Sequence, residues 1–298
     1  MSVLPYHVAL VSESQAVTLD QVSAISAALQ KQVIRDFGPI WSVSATVDAF
    51  DKLDSVPPDY WPVILRDDIN QPGAAGYHTD DNGQPFSLVQ VDDNWPLTTS
   101  HEVLEMLADP FGNRTIAGRP PQPAPPGLPK LHRVTYLVEV CDPCEGDQFS
   151  YTVNGVKVSD FITPQFYDPK AAAGVRYSFG GNIPKPHDVL DDGYVSFGNP
   201  ADNHWYQVVV QNGTAVLRDL GVIQSNNGKS LRELVDAQVR EVRKNERYRI
   251  KPAKPTTLTA AALAPFSDTS TGRATRLRDY IKKLNTIKAA AGSGTASE

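Results

Sequence analysis

Cysteine is scarce in this chain. Its 298 residues contain two, Cys141 and Cys144. They form one Cys-x-x-Cys, and a zinc ribbon needs a second such pair. The pair sits in a proline- and acid-rich turn, not at the strand-to-helix junction of a thioredoxin-type motif. It reads as a local disulfide or as two ordinary thiols. Long basic runs are missing too, and the formal net charge is −6. Both facts argue against nucleic acid as a partner. No apolar run approaches the roughly 20 residues of a membrane span. The first residues lack a basic stretch followed by an apolar one, so no conventional signal peptide is expected. The expectation is a cytoplasmic protein, or one exported by a non-conventional route.

What is present is the composition of a globular protein, with 41% hydrophobic and 21% charged residues. Residues 7–11 read as a short buried strand. Across 21–37, Val22, Ile25, Leu29, Val33 and Ile34 recur at helical spacing, with Thr18 or Asp20 as cap and Gly38-Pro39 as stop. Strands are expected at 43–50, 61–65 and 86–91, with 72–83 a loop between the last two. A helix follows over 98–108, ending at Asp109-Pro110. Residues 118–129 are rich in proline and read as an extended surface loop. Beyond them lie a strand at 134–140, a hairpin at 149–158 turning on Asn154-Gly155, and strands at 194–197, 205–210 and 214–218. A charged helix covers 230–245. From about residue 251 the composition shifts to a weakly ordered tail, interrupted by a basic helical stretch at 274–288.

The predicted class is α+β: a mixed sheet with a motif-bearing helix, a β-rich C-terminal part and a flexible tail. The expected boundaries are 1–118 for the N-terminal part with the motif helix and 119–130 for the proline-rich loop. Residues 131–248 form a β-rich part that completes the site and ends in a helix, and 249–298 the tail.

The chemistry concentrates in Ser100-His101-Glu102-Val103-Leu104-Glu105. Residues four apart on a helix lie about 40° apart on one face, so His101 and Glu105 can reach one ion. In metallohydrolases with His-Glu-x-x-His, the Glu is the general base that takes a proton from water, and Glu102 holds that position. Glu105 replaces the second His. A carboxylate is an acceptable zinc ligand, but it makes the site harder and draws it toward manganese, iron or calcium. Val103, Leu104, Met106 and Leu107 predict a buried helix, and buried carboxylates need partners, either a metal ion or a hydrogen-bonded network. Two segments are candidates to complete the site. One is 139–146, which carries Glu139, Asp142 and Glu145; the other is Gly76-Tyr77-His78, whose His78 is a candidate cleft residue. Asp109 is either a further cleft residue or a cap for backbone groups ahead of Pro110. His132, His187 and His204 have no evident partners.

These motifs resemble two related groups. Ser-His-Glu-x-x-Glu with Asp109-Pro110, followed by Glu139-Val-x-Asp142-x-Cys144-Glu145-Gly146, is similar to uncharacterised bacterial and fungal proteins with His-Glu-x-x-Glu-x-x-x-Asp-Pro. It is also similar, more distantly, to the plant phosphate-induced, exordium-like family. The resemblance covers about 77–168. It implies a divergent zincin-like fold, a third metal ligand from Glu139 or Asp142, and the Phe86 strand as the sheet edge where a peptide could add as a strand. The departure is Glu105 where active metallopeptidases carry His.

The expected function is therefore a metal-dependent, metallopeptidase-like hydrolase. His101, Glu105 and Glu139 or Asp142 would hold zinc or another divalent metal, and Glu102 would be catalytic. The substrate would be a peptide or protein. The alternative is an inactive zincin-like protein that binds a partner or polysaccharide, or serves in a phage or cell-surface assembly.

Overall fold

The computed structural model describes residues 5–71, 73–224 and 228–247. The chain divides into two compact units, Met1–Val239 and Arg240–Glu298. Of the second, only 240–247 are described, as the end of a helix. The tail expected at 249–298 and its basic stretch at 274–288 lie outside the described residues.

The first unit is α+β. In its first half the order is β1 (Tyr6–Ser12), α1 (Leu19–Lys31), a π-helical segment (Gln32–Phe37), α2 (Gly38–Trp41), β2 (Ala45–Phe50), β3 (Tyr60–Arg66), β4 (Gly76–Asp81), β5 (Gln84–Gln90) and α3 (Trp95–Ala108). Five strands form one mixed sheet, ordered β2-β1-β3-β5-β4. β1, β2, β3 and β5 are parallel and β4 runs antiparallel to β5. The interior strand β1 is apolar along Val8-Ala9-Leu10-Val11, all fully buried, as a parallel strand covered on both faces must be.

Two sequence expectations need correction here. Residues 72–83 were expected to be a loop, but β4 occupies half of that stretch and closes a hairpin with β5 through Asn82 and Gly83, at φ 51° and 81°. The Asn-Gly turn is the signal; the polar run Tyr77-His78-Thr79-Asp80 hides the strand because it lacks apolar alternation. In consequence β4 is the sheet edge, and the Phe86 strand (β5) lies inside, between β3 and β4. The helix over 21–37 is also altered. It begins with a capping box, Thr18 with Gln21, and then widens into the π segment before continuing to Trp41. Pro39 does not stop it at Gly38. Proline lacks an N–H and its ring strikes the carbonyl four residues back in an ordinary helix. The wider π turn accommodates it, with Gly38 N–H bonded five residues back to Val33 O. The helix ends at Ser42, in the left-handed region (φ 57°).

The second half contains β6 (Thr115–Gly118), β7 (Val134–Leu137), a hairpin of β8 (Tyr151–Val153) and β9 (Val156–Val158), β10 (Tyr194–Asn199), β11 (His204–Gln211), β12 (Thr214–Val222) and α4 (Leu231–Arg247). β12-β11-β10-β7-β6 form an antiparallel sheet. The proline-rich 119–130 is irregular and mostly exposed, but Gln122 ties it to His187 and Val189 through two backbone hydrogen bonds of 2.8 Å.

One hydrophobic core joins both halves. Val8 and Leu10 of β1, Val63 and Leu65 of β3, Leu29 of α1, Val103, Leu104 and Met106 of α3, and Phe197 and Val208 of the second sheet belong to it. Helix α3 is therefore buried on nearly all sides from Glu102 to Ala108. Each fully buried aliphatic side chain stabilises by about 1.5–3 kcal/mol. That packing is what forces the polar side chains of α3 to find partners inside the protein.

Candidate metal centre

Helix α3 is fixed by a polar link to the π segment. Ser100 Oγ donates to Gln32 Oε1 (2.8 Å) and accepts from Ser159 N (2.9 Å). Gln32 Nε2 donates to Tyr151 OH and to Ser159 O. The next residue, His101, then points at the segment after β7. His101 Nε2 lies 3.3 Å from Glu105 Oε1, one helical turn on, and 3.1 Å from Asp142 Oδ1. Asp142 opens a short 3-10 turn, Asp142–Cys144, and Cys141 N–H donates to Glu105 Oε1 (3.2 Å).

The other side of Glu105 faces β4. Glu105 Oε2 lies 3.9 Å from His78 Nδ1, and Glu102 Oε2 lies 3.4 Å from the same nitrogen. The backbone of β4 crosses directly over Glu102. A Cβ at Gly76 would sit 2.8 Å from Glu102 Oε1 and 2.9 Å from Thr98 Cγ2, so any larger residue forces a shift there. His78 Nε2 is 3.1 Å from the Asp109 carbonyl oxygen. The Asp109 carboxylate turns away from the cluster and accepts from Asn113 N (3.1 Å) and Arg114 N (2.8 Å). It caps the end of α3.

Three sets of potential ligands each bring one atom per residue within 4.8 Å: His78 with Glu102 and Glu105, His101 with Asp142 and Glu145, and Glu105 with Glu139 and Asp142. The structure thus gathers His78, His101, Glu102, Glu105, Glu139, Asp142 and Glu145 into one cluster. His187 stacks on Tyr136 and His204 pairs with Asp219 (2.6 Å); neither belongs to the cluster. Cys141 and Cys144 are free and buried. Burial holds both thiols well above the ordinary value, so they are poor thiolate ligands.

One member was missed by sequence reasoning. Arg232, in the first turn of α4, reaches Glu139 Oε2 (3.2 Å) and Glu105 Oε2 (3.4 Å), and Nη1 meets the His78 ring. The signal was indirect. Ser230 and Glu233 form a reciprocal cap, Ser230 N to Glu233 Oε2 (2.7 Å) and Glu233 N to Ser230 Oγ (3.1 Å). That Ser-x-x-Glu fixes the helix start and places an arginine where the helix dipole disfavours positive charge.

Carboxylates outnumber cations in this cluster. Burial, and then the charge of Glu105, push Asp142 up to about 7. Burial, and then Asp142, push Glu145 up to about 8. Burial also raises Glu139 well above the carboxylate range despite Arg232. Burial works against a charged His101, but Glu105 and Asp142 outweigh it and hold the imidazole well above its usual value. Burial likewise opposes a charged Glu105, yet His101 and Arg232 keep it well below the usual value. Both oxygens of the fully buried Asp142, and Oε2 of Glu102 and of Glu139, lack a hydrogen bond. Buried carboxylate oxygens left without a hydrogen bond are costly even beside a positive group. Asp142 belongs to two of the candidate sets, with His101 and Glu145 and with Glu105 and Glu139, and a divalent cation held there would satisfy its orphaned oxygens, so the residues fit such an ion.

No protein-family model matches the chain, and no curated protein or solved structure matches it at a significant level. Among the described residues, no helix is long and apolar enough to cross a membrane.

Proposed function

We propose that this protein is a metal-dependent hydrolase of divergent zincin-like type. The observation that carries this reading is the meeting of His101, Glu105 and Asp142 around two buried Asp142 oxygens that have no hydrogen bond. One nitrogen and two carboxylates suit zinc, or manganese as a harder alternative. Such an ion would supply Lewis acidity at this point. Glu102 is the candidate general base. Its Oε2 is buried without a hydrogen bond, so its lone pairs remain available to take a proton. β4 is an edge strand of the sheet and lies directly above Glu102. A peptide or protein substrate in extended form would add along that edge. Glu102→Gln is expected to lower hydrolysis by about 10²–10⁴-fold while metal content stays unchanged. Peptide hydrolysis undiminished in that variant would sink the mechanism.

A second reading is a non-catalytic protein with a structural ion. It draws support from depth: Glu105 and Asp142 are fully buried and the His101 side chain keeps 15% exposure. Chelation separates the two. A structural ion predicts a large loss of melting temperature on chelation and no turnover of any peptide before it.

A further inference from the structure

The two carboxylate oxygens of Glu105 serve different neighbourhoods. Oε1 faces His101 and Cys141 N; Oε2 faces His78 and Arg232. On the Oε2 side stand His78 Nδ1, Glu102 Oε2, Glu139 Oε2 and the Arg232 guanidinium. We propose that Arg232 fills the second of two cation subsites sharing Glu105, so that a second divalent ion binds only when the guanidinium is removed. This rests on the reading of His101, Glu105 and Asp142 as the first subsite.

Three observations support it. First, His78 is preset as a ligand. Its Nε2 lies 3.1 Å from the Asp109 carbonyl and 2.8 Å from Arg232 Nη1, so once the guanidinium is removed Nε2–H can donate to that carbonyl and leave Nδ1 facing Glu102 and Glu105. A backbone carbonyl on the far nitrogen is the usual outer-shell support of a metal-binding histidine. Second, the Nδ1 lone pair and the Glu102 and Glu105 oxygens converge within 4.8 Å, a ligand set suited to zinc or manganese. Third, Glu102 Oε2 and Glu139 Oε2 are buried in this subsite without a hydrogen bond, although the guanidinium is present. Arg232 supplies charge to them without satisfying their geometry, as expected of a substitute cation.

The test is metal stoichiometry of the full chain by equilibrium dialysis against Zn(II), and separately Mn(II), followed by elemental analysis. Arg232→Met should take up one ion more than wild type, and Arg232→Met with His78→Ala should lose it. Equal uptake by Arg232→Met and wild type overturns the proposal, as does an extra ion that survives loss of His78. The two readings fail by different results. Wild type without any ion defeats the hydrolase reading, whereas the difference between variant and wild type decides the role of Arg232. Should Arg232→Met fail to fold in metal-free buffer, zinc is expected to restore its helical circular dichroism. No recovery on adding either ion means that Arg232 is purely structural, and overturns the proposal.

Discussion

His101 Nε2 and Asp142 Oδ1 lie 3.1 Å apart, yet neither oxygen of the fully buried Asp142 carries a hydrogen bond. The pair is close enough to attract and is not directed as a bond. An ion between them and Glu105 resolves that mismatch. His101→Ala or Asp142→Asn should therefore weaken zinc binding by more than the roughly 10–100-fold that loss of an outer-shell partner costs. Competition titration against a chromogenic chelator measures it. Zinc affinity equal to wild type in both variants would contradict the ligand set.

The raised carboxylates make stability depend on pH. Asp142 ionises with a value near 3.8 when unfolded and about 7 when folded. Between those values the unfolded chain holds fewer protons, so stability falls as pH rises. Glu145, raised to about 8, extends the fall upward. The chelated protein should lose melting temperature steadily from about pH 5 to pH 8, and bound zinc should flatten that slope. Asp142→Asn should remove part of it. A melting temperature of the chelated protein that rises over this range would refute the charge imbalance.

Ser100 connects the site helix to the π segment. With alanine there, Gln32 Oε1 and Ser159 N each lose a buried partner. A loss of about 1–3 kcal/mol in unfolding free energy is expected by chemical denaturation. A change under 0.5 kcal/mol would mean that the link does not hold α3.

Gly76 lies against Glu102. Gly76→Ala puts a methyl 2.8 Å from the carboxylate and 2.9 Å from both its Cγ and Thr98 Cγ2, so β4, Glu102 or Thr98 must move. Overpacking of this kind costs about 1–3 kcal/mol. Glu102→Ala should relieve the part of it that falls on Glu102, so a double-mutant cycle should show coupling of at least ~0.5 kcal/mol. Strictly additive effects would place the strain elsewhere.

Much of this arrangement was legible before the structure. The apolar run of β1, the periodicity of α1, the hairpin turning on Asn154-Gly155 and the buried face of α3 each follow from local pattern. So did the pairing of His101 with Glu105 four residues on, and the candidacy of Glu139 and Asp142. The edge position of β4 was not legible, because its residues are polar where a strand pattern would alternate. The π segment escaped notice because its hydrogen bonds, not its side chains, depart from the helix. Arg232 is 127 residues from Glu105, and only tertiary packing brings them together. Asp109 illustrates the opposite case: its place before Pro110 already suggested the capping role that its bonds to Asn113 and Arg114 display.

The most direct test is an anomalous-difference map at the zinc edge from crystals of the full chain equilibrated with zinc. The account predicts a peak about 2.0–2.1 Å from His101 Nε2, with Glu105 and Asp142 oxygens at about 2.0–2.2 Å. Refined density with His101 and Asp142 in direct contact, and no peak between them at saturating zinc, would contradict it.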